Sequence, residues 1–268
     1  MTAPDHPAEA QVRMWTTGDY PVVARHLLPI SVDLVDRVGI RPGDQVLDVG
    51  VGNGNAAFEA ARRGAQVTGI DLTPAQIARA HARAEAEGLE VDLQVGDAQD
   101  LDVADAGFDV VLSVMGVIFA PDHARALAEM TRAARPGGTV ALTTWAGGGW
   151  SDCWRSRAAG LVPAAPPGSP APDEWGHPDE VTRRFAALDL QVEVQERPFA
   201  WAFASEAEAL HTFTTSAGPY VQLMETATRL GRAEVVRAEL AAAMAELNQA
   251  TDGSCRLDAP YLLAVAVR

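Results

Sequence analysis

The feature that most constrains the fold is the stretch at residues 45–55, which reads QVLDVGVGNGN. A short apolar run is followed by Gly50, Gly52 and Gly54, and then by a helical pattern from Ala56. A buried strand, a tight glycine turn and a helix, in that order, bring backbone N–H groups and a helix N-terminus to one point. Glycine allows turn dihedrals and a close approach of ligand that a Cβ would forbid. The stretch predicts a binding site for a polar small molecule.

Acidic residues accompany the ends of the predicted strands. Asp48 lies inside the end of the first strand, a second strand at 65–70 ends on Asp71, and a third at 91–95 runs into Asp97. Ligands of open parallel sheets bind beyond the carboxyl ends of the strands. There one carboxylate can accept from two ribose hydroxyls and another from an adenine amino group. These acidic residues narrow the predicted ligand to a nucleoside.

These pieces together resemble the class I S-adenosylmethionine (SAM)-dependent methyltransferases, and they look most like the small-molecule branch that includes the quinone-biosynthesis C-methyltransferases. The matching segments are LDVGVGNG (47–54), VTGIDLTP (67–74), GDAQDL (96–101), FDVVLSV (108–114) and RPGGTVALTTW (135–145). The resemblance implies that SAM is the cofactor and that a methyl group passes by in-line displacement to the oxygen, carbon or nitrogen of a small molecule.

The alternation of strand and helix patterns predicts a doubly wound α/β sheet, and the resemblance implies seven mostly parallel strands with a helical cap inserted before the last one. Residues 1–12 are expected to be loose, and 190–203 reads as one strand bent at Pro198. The expected parts are an N-terminal helical segment that covers the cofactor (1–40), a SAM-binding core (41–204) with a lid-like loop (146–176), a cap (205–256) and a final strand (257–268).

The resemblance also assigns cofactor contacts. Asp71 takes the ribose, Leu72 packs on adenine, and Asp97 meets the adenine amino group with Ala98 beside it. The full expected set is Tyr20, Gly50, Val51, Gly52, Gly54, Asn55, Asp71, Leu72, Asp97, Ala98, Val114 and Met115. Asp48 is expected to tie the amides of the turn.

Plainer alternatives stay open for several of these residues. Asn55 suits a helix start, Asp71 suits the N-terminal charge of the next helix, and Asp97 suits a turn. Trp15 and Tyr20 would lie near the methionine end of SAM, or else their rings attach the first helix to the sheet. The two uses are balanced for Tyr20, and the packing role is favoured for Trp15. The place of Asp71 at a strand end favours the ribose role, and the cofactor role is also favoured for Asp97.

The acceptor side is less constrained because a sulfonium is a good leaving group, so a general base is needed only when the acceptor must lose a proton. His123, at the start of a predicted helix after the fourth strand, is the candidate base, or else a solvated helix-start residue. Trp201, His211 and Tyr220 are candidates for the acceptor pocket. Aromatic residues at such positions also serve as core.

Composition excludes several classes of partner. The net charge is −15, and all 21 basic residues are arginine, which argues against nucleic acid or an anionic membrane as partner. The six histidines and two cysteines show no metal-ligand spacing, so no metal is expected. With no apolar run long enough to span a bilayer, we expect a cytoplasmic protein. The sequence leaves its oligomeric state open.

Two further functions fit parts of the pattern. A protein of this fold can bind SAM without transferring its methyl, as a cyclase-type enzyme or a binding partner. A nicotinamide-dependent dehydrogenase shares the doubly wound plan, but GVGNG lacks the GxGxxG spacing of that class.

Overall fold

The computed structural model of this chain describes residues 7–163 and 172–268. Its helices are α1 (Pro7–Thr16), α2 (Tyr20–Val38), α3 (Asn55–Arg62), α4 (Pro74–Glu87), α5 (His123–Ala133), α6 (Gly149–Ala158), α7 (Pro178–Ala186), α8 (Glu206–Ser216), α9 (Gly218–Arg229) and α10 (Ala233–Leu247). Its strands are β1 (Gln45–Val49), β2 (Gln66–Asp71), β3 (Asp92–Val95), β4 (Phe108–Val114), β5 (Ala134–Trp145), β6 (Val192–Arg197), β7 (Ala200–Phe203), β8 (Cys255–Asp258) and β9 (Tyr261–Val267).

Seven strands form the main sheet in the order β3-β2-β1-β4-β5-β9-β6. Strands β1 to β5 pair in parallel, and β9 runs antiparallel between β5 and β6. The central strands are almost wholly buried because helices cover both faces, which is why their sequences are continuous apolar runs and not alternating ones. The predicted doubly wound, mostly parallel seven-stranded fold is confirmed.

The predicted strand at 190–203 is wrong as a single element. It splits at Pro198 into β6, which joins the main sheet, and β7, which pairs antiparallel with β8 in a separate two-stranded sheet. Proline cannot donate to a strand ladder, so the chain leaves the main sheet at that point. The β7–β8 pair closes the base of the insertion, whose body is formed by α8, α9 and α10.

Two expected loops contain regular structure. Helix α1 begins at Pro7, within the stretch that was expected to be loose. The expected lid-like loop 146–176 contains α6 and a 3-10 turn at Pro172–Trp175, and the Trp175 side chain is fully buried. The middle of the expected loop, residues 164–171, lies outside the described residues.

Within the described ranges, no helix is both long and apolar enough to cross a bilayer. No three histidine, cysteine or acidic side chains of the same ranges come together in a way that could hold a metal ion.

Candidate functional site

A cleft opens at the carboxyl ends of β1 to β4 and encloses about 790 Å³ of empty space, its open mouth included. Nine of the twelve cofactor residues expected from sequence line it: Tyr20, Gly50, Gly52, Asp71, Leu72, Asp97, Ala98, Val114 and Met115. Parallel strands present their carboxyl ends to one edge of a sheet, so residues far apart in the chain meet there.

The glycine turn is fixed to the end of β2 by main-chain hydrogen bonds. The N–H groups of Gly50 and Val51 both donate to the carbonyl oxygen of Ile70, over 2.8 and 3.0 Å. Gly50 has φ 75°, and a Cβ there would lie 2.9 Å from the Cα of Gly116. Only glycine satisfies both the dihedral and the close approach of the two turns.

Asp71, the last residue of β2, holds the turn from the other side. Its Oδ2 accepts from the N–H of Gly52 over 2.9 Å, and its Oδ1 accepts from the N–H of Thr73 over 2.8 Å. Burial raises the pKa of Asp71, and these two amide donors partly offset that rise. The carboxylate is therefore placed in the cleft and oriented before any ligand arrives.

Asp48 lies beneath the turn and away from the cleft lining. Its Oδ2 accepts from the N–H of Ala57 in the first turn of α3 over 3.0 Å. Burial raises its pKa to about 7, the Ala57 amide opposes the rise, and the nearby charge of Asp71 adds to it. Asp48 was expected to tie the amides of the glycine turn, and the structure shows it accepting from an amide in the first turn of α3 instead.

Asp97 follows β3 and lines the far end of the cleft together with Ala98. Its Oδ1 accepts from the backbone N–H of Gln99 over 2.9 Å and from the Gln99 side-chain amide over 3.0 Å. The carboxylate is thus held in place, and its remaining lone pairs are available to a donor in the cleft.

The other three expected cofactor residues do not line the cleft. Val51 is buried and packs toward Gly69. Gly54 has φ 94°, and a Cβ there would lie 2.4 Å from the ring of Phe58, so this glycine is required by packing. The side-chain amide of Asn55 donates to the carbonyl oxygen of Ala24 and accepts from Arg83. Their contacts with the cofactor remain a prediction.

Three aromatic rings form the wall of the cleft opposite the strands. Trp15 packs edge-on against Tyr20 and Phe119, with ring centroids 5.6 and 4.8 Å apart. All three residues line the cleft. Burial, together with the charges of Asp71 and Asp48, raises the pKa of Tyr20 far above its ordinary value, so its hydroxyl stays protonated.

Sequence reasoning missed several polar residues of the cleft. Gln11, Gln76 and Gln99 line it, and the segment at 119–121 lies beside them. Gln76 lies one helical turn after Thr73, so the spacing i, i+3 from the strand-end motif was a usable signal. Nothing in the local sequence marks Gln11, because its position depends on how α1 packs.

His123 lies at the start of α5 and does not line the cleft. Its Nε2 is 3.0 Å from the carbonyl oxygen of Ile118, which can only accept, so Nε2 carries the proton and donates. Its Nδ1 lies 3.6 Å from Glu174, and its ring packs against Trp175. Burial lowers the pKa of His123. These contacts hold the ring against residues 172–175, outside the cleft lining, and its use as a general base remains a prediction.

The expected acceptor residues also lie away from the cleft lining. Trp201 and Tyr220 are buried in an aromatic cluster, where both contact Phe213 with centroids 5.1 and 4.9 Å away. His211 is exposed on α8. Their use as acceptor ligands remains a prediction, and the structure shows two of them as core of the cap.

Comparisons with known proteins give the family. Residues 46–138 match the family described as "Methyltransferase domain". An uncharacterised protein of Mycobacterium tuberculosis is 42% identical over 180 residues, which is 67% of this chain and 66% of that protein. Another from the same organism is 34% identical over 255 residues, 94% of this chain and 92% of that protein. The chain belongs to the class I SAM-dependent methyltransferases.

Solved structures agree with this family at the level of the fold. The Bacillus subtilis protein YcgJ superposes with a TM-score of 0.63 at 18% identity, covering 89% of this chain and 97% of that one. The [4+2]-cyclase SpnF superposes with a TM-score of 0.56 at 23% identity, covering 90% and 80%. As a class I methyltransferase, the protein takes SAM as its cofactor, which confirms that prediction. The membership favours a SAM site in this cleft over the nicotinamide alternative.

Proposed function

We propose that this methyltransferase transfers the methyl group of SAM to a small, partly apolar acceptor. The observation that carries the proposal is the cleft itself, which joins a pre-oriented carboxylate, Asp71, to an aromatic wall of Trp15, Tyr20 and Phe119. One side of the cleft suits a sugar, and the other suits an apolar surface.

The cofactor is proposed to lie across the strand ends. Asp71 would accept from the ribose hydroxyls, and Asp97 from the adenine amino group, with the adenine packed on Leu72. The methionine end would then lie along Gly50 and Gly52, whose side of the turn is free of Cβ atoms. The fixed orientation of both carboxylates supports this arrangement, since neither must reorganise on binding.

When bound, SAM supplies an activated methyl on a sulfonium, and the residues of the chain bind, orient and shield it. The hydroxyl of Tyr20 remains protonated because of its raised pKa, so it can donate a hydrogen bond and does not serve as a base. The aromatic wall would shield the bound methyl group from water. This arrangement suits an acceptor whose nucleophilic atom needs little help in losing a proton.

A small-molecule acceptor is favoured over a polyanion by the charge distribution. The net charge is −15, and arginines on several faces pair with acids, for example Arg37 with Glu193, Arg135 with Asp109 and Arg155 with Asp173. Phosphate backbones need clustered, unpaired cations. Paired arginines on an acidic surface do not offer them.

The second candidate is SAM binding without methyl transfer. The solved neighbour SpnF is a [4+2]-cyclase by its description, and its likeness here is one of fold. The raised pKa of Tyr20 and the position of His123 away from the cleft are compatible with this candidate too, because neither residue supplies a base. The two candidates differ in whether the bound methyl is ever consumed.

The test combines binding with turnover. Calorimetry should show that the wild type binds SAM and S-adenosylhomocysteine (SAH). Mass spectrometry should then show SAH formed from SAM in the presence of a bacterial small-molecule extract, but not in the presence of RNA or denatured protein. Binding without SAH formation in any arm would favour the second candidate. Absence of binding would contradict both.

A further inference from the structure

Two side-chain amides tie the N-terminal helices to the cofactor half of the molecule. Asn55 donates its Nδ2 to the carbonyl oxygen of Ala24 in α2 over 2.7 Å. Gln76 donates its Nε2 to the carbonyl oxygen of Trp15 in α1 over 3.0 Å. Because a carbonyl oxygen only accepts, the nitrogen of each amide must face its helix, and the oxygen must face elsewhere.

The two amides differ at their oxygen atoms. Asn55 Oδ1 accepts from Arg83 over 2.7 Å, so both ends of that amide are used within the protein. Gln76 Oε1 is buried and has no hydrogen-bond donor within residues 7–163 and 172–268. A buried acceptor without a donor carries the full free-energy cost of its desolvation. A ligand donor that reaches this acceptor should therefore contribute more binding free energy than an ordinary surface hydrogen bond does.

Gln76 is placed where such a donor would come from the ligand. It is 2% exposed and lines the cofactor cleft. It lies one helical turn beyond Thr73, whose N–H binds the carboxylate of Asp71. The proposed ribose lies at Asp71, and a ribose carries two hydroxyl donors.

We infer that Gln76 Oε1 accepts a hydrogen bond from a ribose hydroxyl of the bound nucleoside, and that this contact fixes α1 over the cleft through the Nε2 bond to Trp15. The inference rests on the cofactor position proposed above. One amide then joins the ligand and the helix that covers it. Asn55 cannot act in this way, because Arg83 already occupies its oxygen, so α2 is held with or without ligand.

Calorimetry with SAH tests the ligand contact. Gln76→Met keeps the length of the side chain and removes both hydrogen bonds, so SAH affinity should fall about 5- to 20-fold. Gln222→Met, the same change at an exposed position of α9, should leave the affinity unchanged. Equal affinity of wild type and Gln76→Met would overturn the inference.

Hydrogen exchange of the α1 amides, with and without SAH, tests the coupling. In the wild type, SAH should slow exchange in α1 more than in α2. Gln76→Met should reduce the SAH-dependent slowing in α1 to the part that direct contact of the ligand with Gln11 and Trp15 supplies, whereas a purely structural Gln76 would speed exchange equally in both states. Gln76→Ala also removes both hydrogen bonds and adds no buried charge, so it should reduce the slowing in the same way. It supplies a second variant should Gln76→Met fail to fold.

A ligand series identifies the donor and separates this inference from the proposed function. The 2′-deoxy and 3′-deoxy analogues of SAH should each bind the wild type more weakly than SAH does. In Gln76→Met, at least one of these losses of affinity should be smaller, because the acceptor of the missing hydroxyl has already been removed. Penalties unchanged by the substitution would contradict a ribose contact. Loss of SAH binding in Asp71→Asn alongside unchanged binding in Gln76→Met would sink this inference and leave the proposed function standing.

Discussion

In the cofactor cleft, the important side chains are held by backbone amides, whereas in the cap they are held by other rings. Asp71 accepts from Gly52 and Thr73, and each bond depends on a particular turn geometry. In the cap, Phe213 contacts Trp150, Trp201, Phe203 and Tyr220, with centroid distances of 4.9 to 5.5 Å. Ring packing is less directional than a pair of amide hydrogen bonds.

This difference predicts that the two regions respond differently to substitution. Removing a cleft carboxylate deletes the proposed ligand contacts and also relieves a buried charge, so ligand binding should suffer more than folding. Removing a ring from the cap leaves a cavity, so folding should suffer more than cofactor binding. The variants below separate the two regions, beginning with the largest expected effect.

Phe213→Ala should lower the free energy of unfolding by about 3–5 kcal/mol, because it empties the centre of the aromatic cluster. Urea unfolding measures this change. SAH affinity should stay within about threefold of the wild type, since Phe213 does not line the cleft.

The matched variant in the cleft is Phe119→Ala. Phe119 is half-buried and lines the cleft, so its loss should weaken SAH binding more, and stability less, than the loss of Phe213. If the two phenylalanine variants had the same pattern of effects, the contrast between the regions would be wrong.

Asp71→Asn should weaken SAH binding about 100-fold, because a neutral amide replaces the carboxylate that is proposed to accept charge-assisted hydrogen bonds from the ribose. Calorimetry measures the loss. The control is Asp179→Asn, the same change at an exposed position of α7, which should bind SAH as the wild type does. A loss of less than about threefold in Asp71→Asn would remove Asp71 from the ribose site.

Asp48 should make the ligand-free protein less stable as pH rises. Its folded pKa is about 7, above the ordinary value of 3.8. A carboxyl whose pKa is raised by folding contributes stability that is fully present below its unfolded pKa and is lost as pH rises through its folded pKa.

Compared with Asp48→Asn, the wild type should therefore lose about 2 kcal/mol of unfolding free energy between about pH 5 and about pH 8. Asparagine keeps an oxygen that can accept from Ala57, so the variant isolates the charge. Urea unfolding at both pH values provides the measurement. Parallel pH curves for the two proteins would show that Asp48 does not titrate in this range.

Tyr20→Phe should have the smallest effect. The ring that packs beside Gly52 is kept, and only the hydroxyl is lost, so SAH affinity should change less than about threefold. At alkaline pH, the rate of methyl transfer should depend on pH in the same way in the wild type and in Tyr20→Phe, because the hydroxyl of Tyr20 is protonated throughout. An alkaline limb present in the wild type and absent from Tyr20→Phe would assign Tyr20 a role as base.

The contrast also explains what could be predicted from the sequence. The glycine turn, Asp71 and Asp97 were predictable because short-range backbone geometry demands particular residues at fixed spacing. Trp201 and Tyr220 were recognised only as aromatic residues, since their partners come from distant elements. His123 was close to the expected reaction centre in sequence, but the Ile118 carbonyl and Trp175 decide where its ring points.

Gln76 shows the same limit on a smaller scale. Its position one turn after Thr73 is readable from sequence, whereas its bond to Trp15 depends on how α1 packs on α4. The split of 190–203 into β6 and β7 could be predicted only in part. Pro198 indicates that the strand breaks, but it does not indicate that β7 joins a different sheet.

The most direct test of the account is a crystal structure of the protein with SAH. We expect the ribose hydroxyls within hydrogen-bond distance of the Asp71 carboxylate, the adenine amino group beside Asp97 and the homocysteine end along Gly50 and Gly52. SAH bound elsewhere, or bound in this cleft with its ribose away from Asp71, would contradict the account.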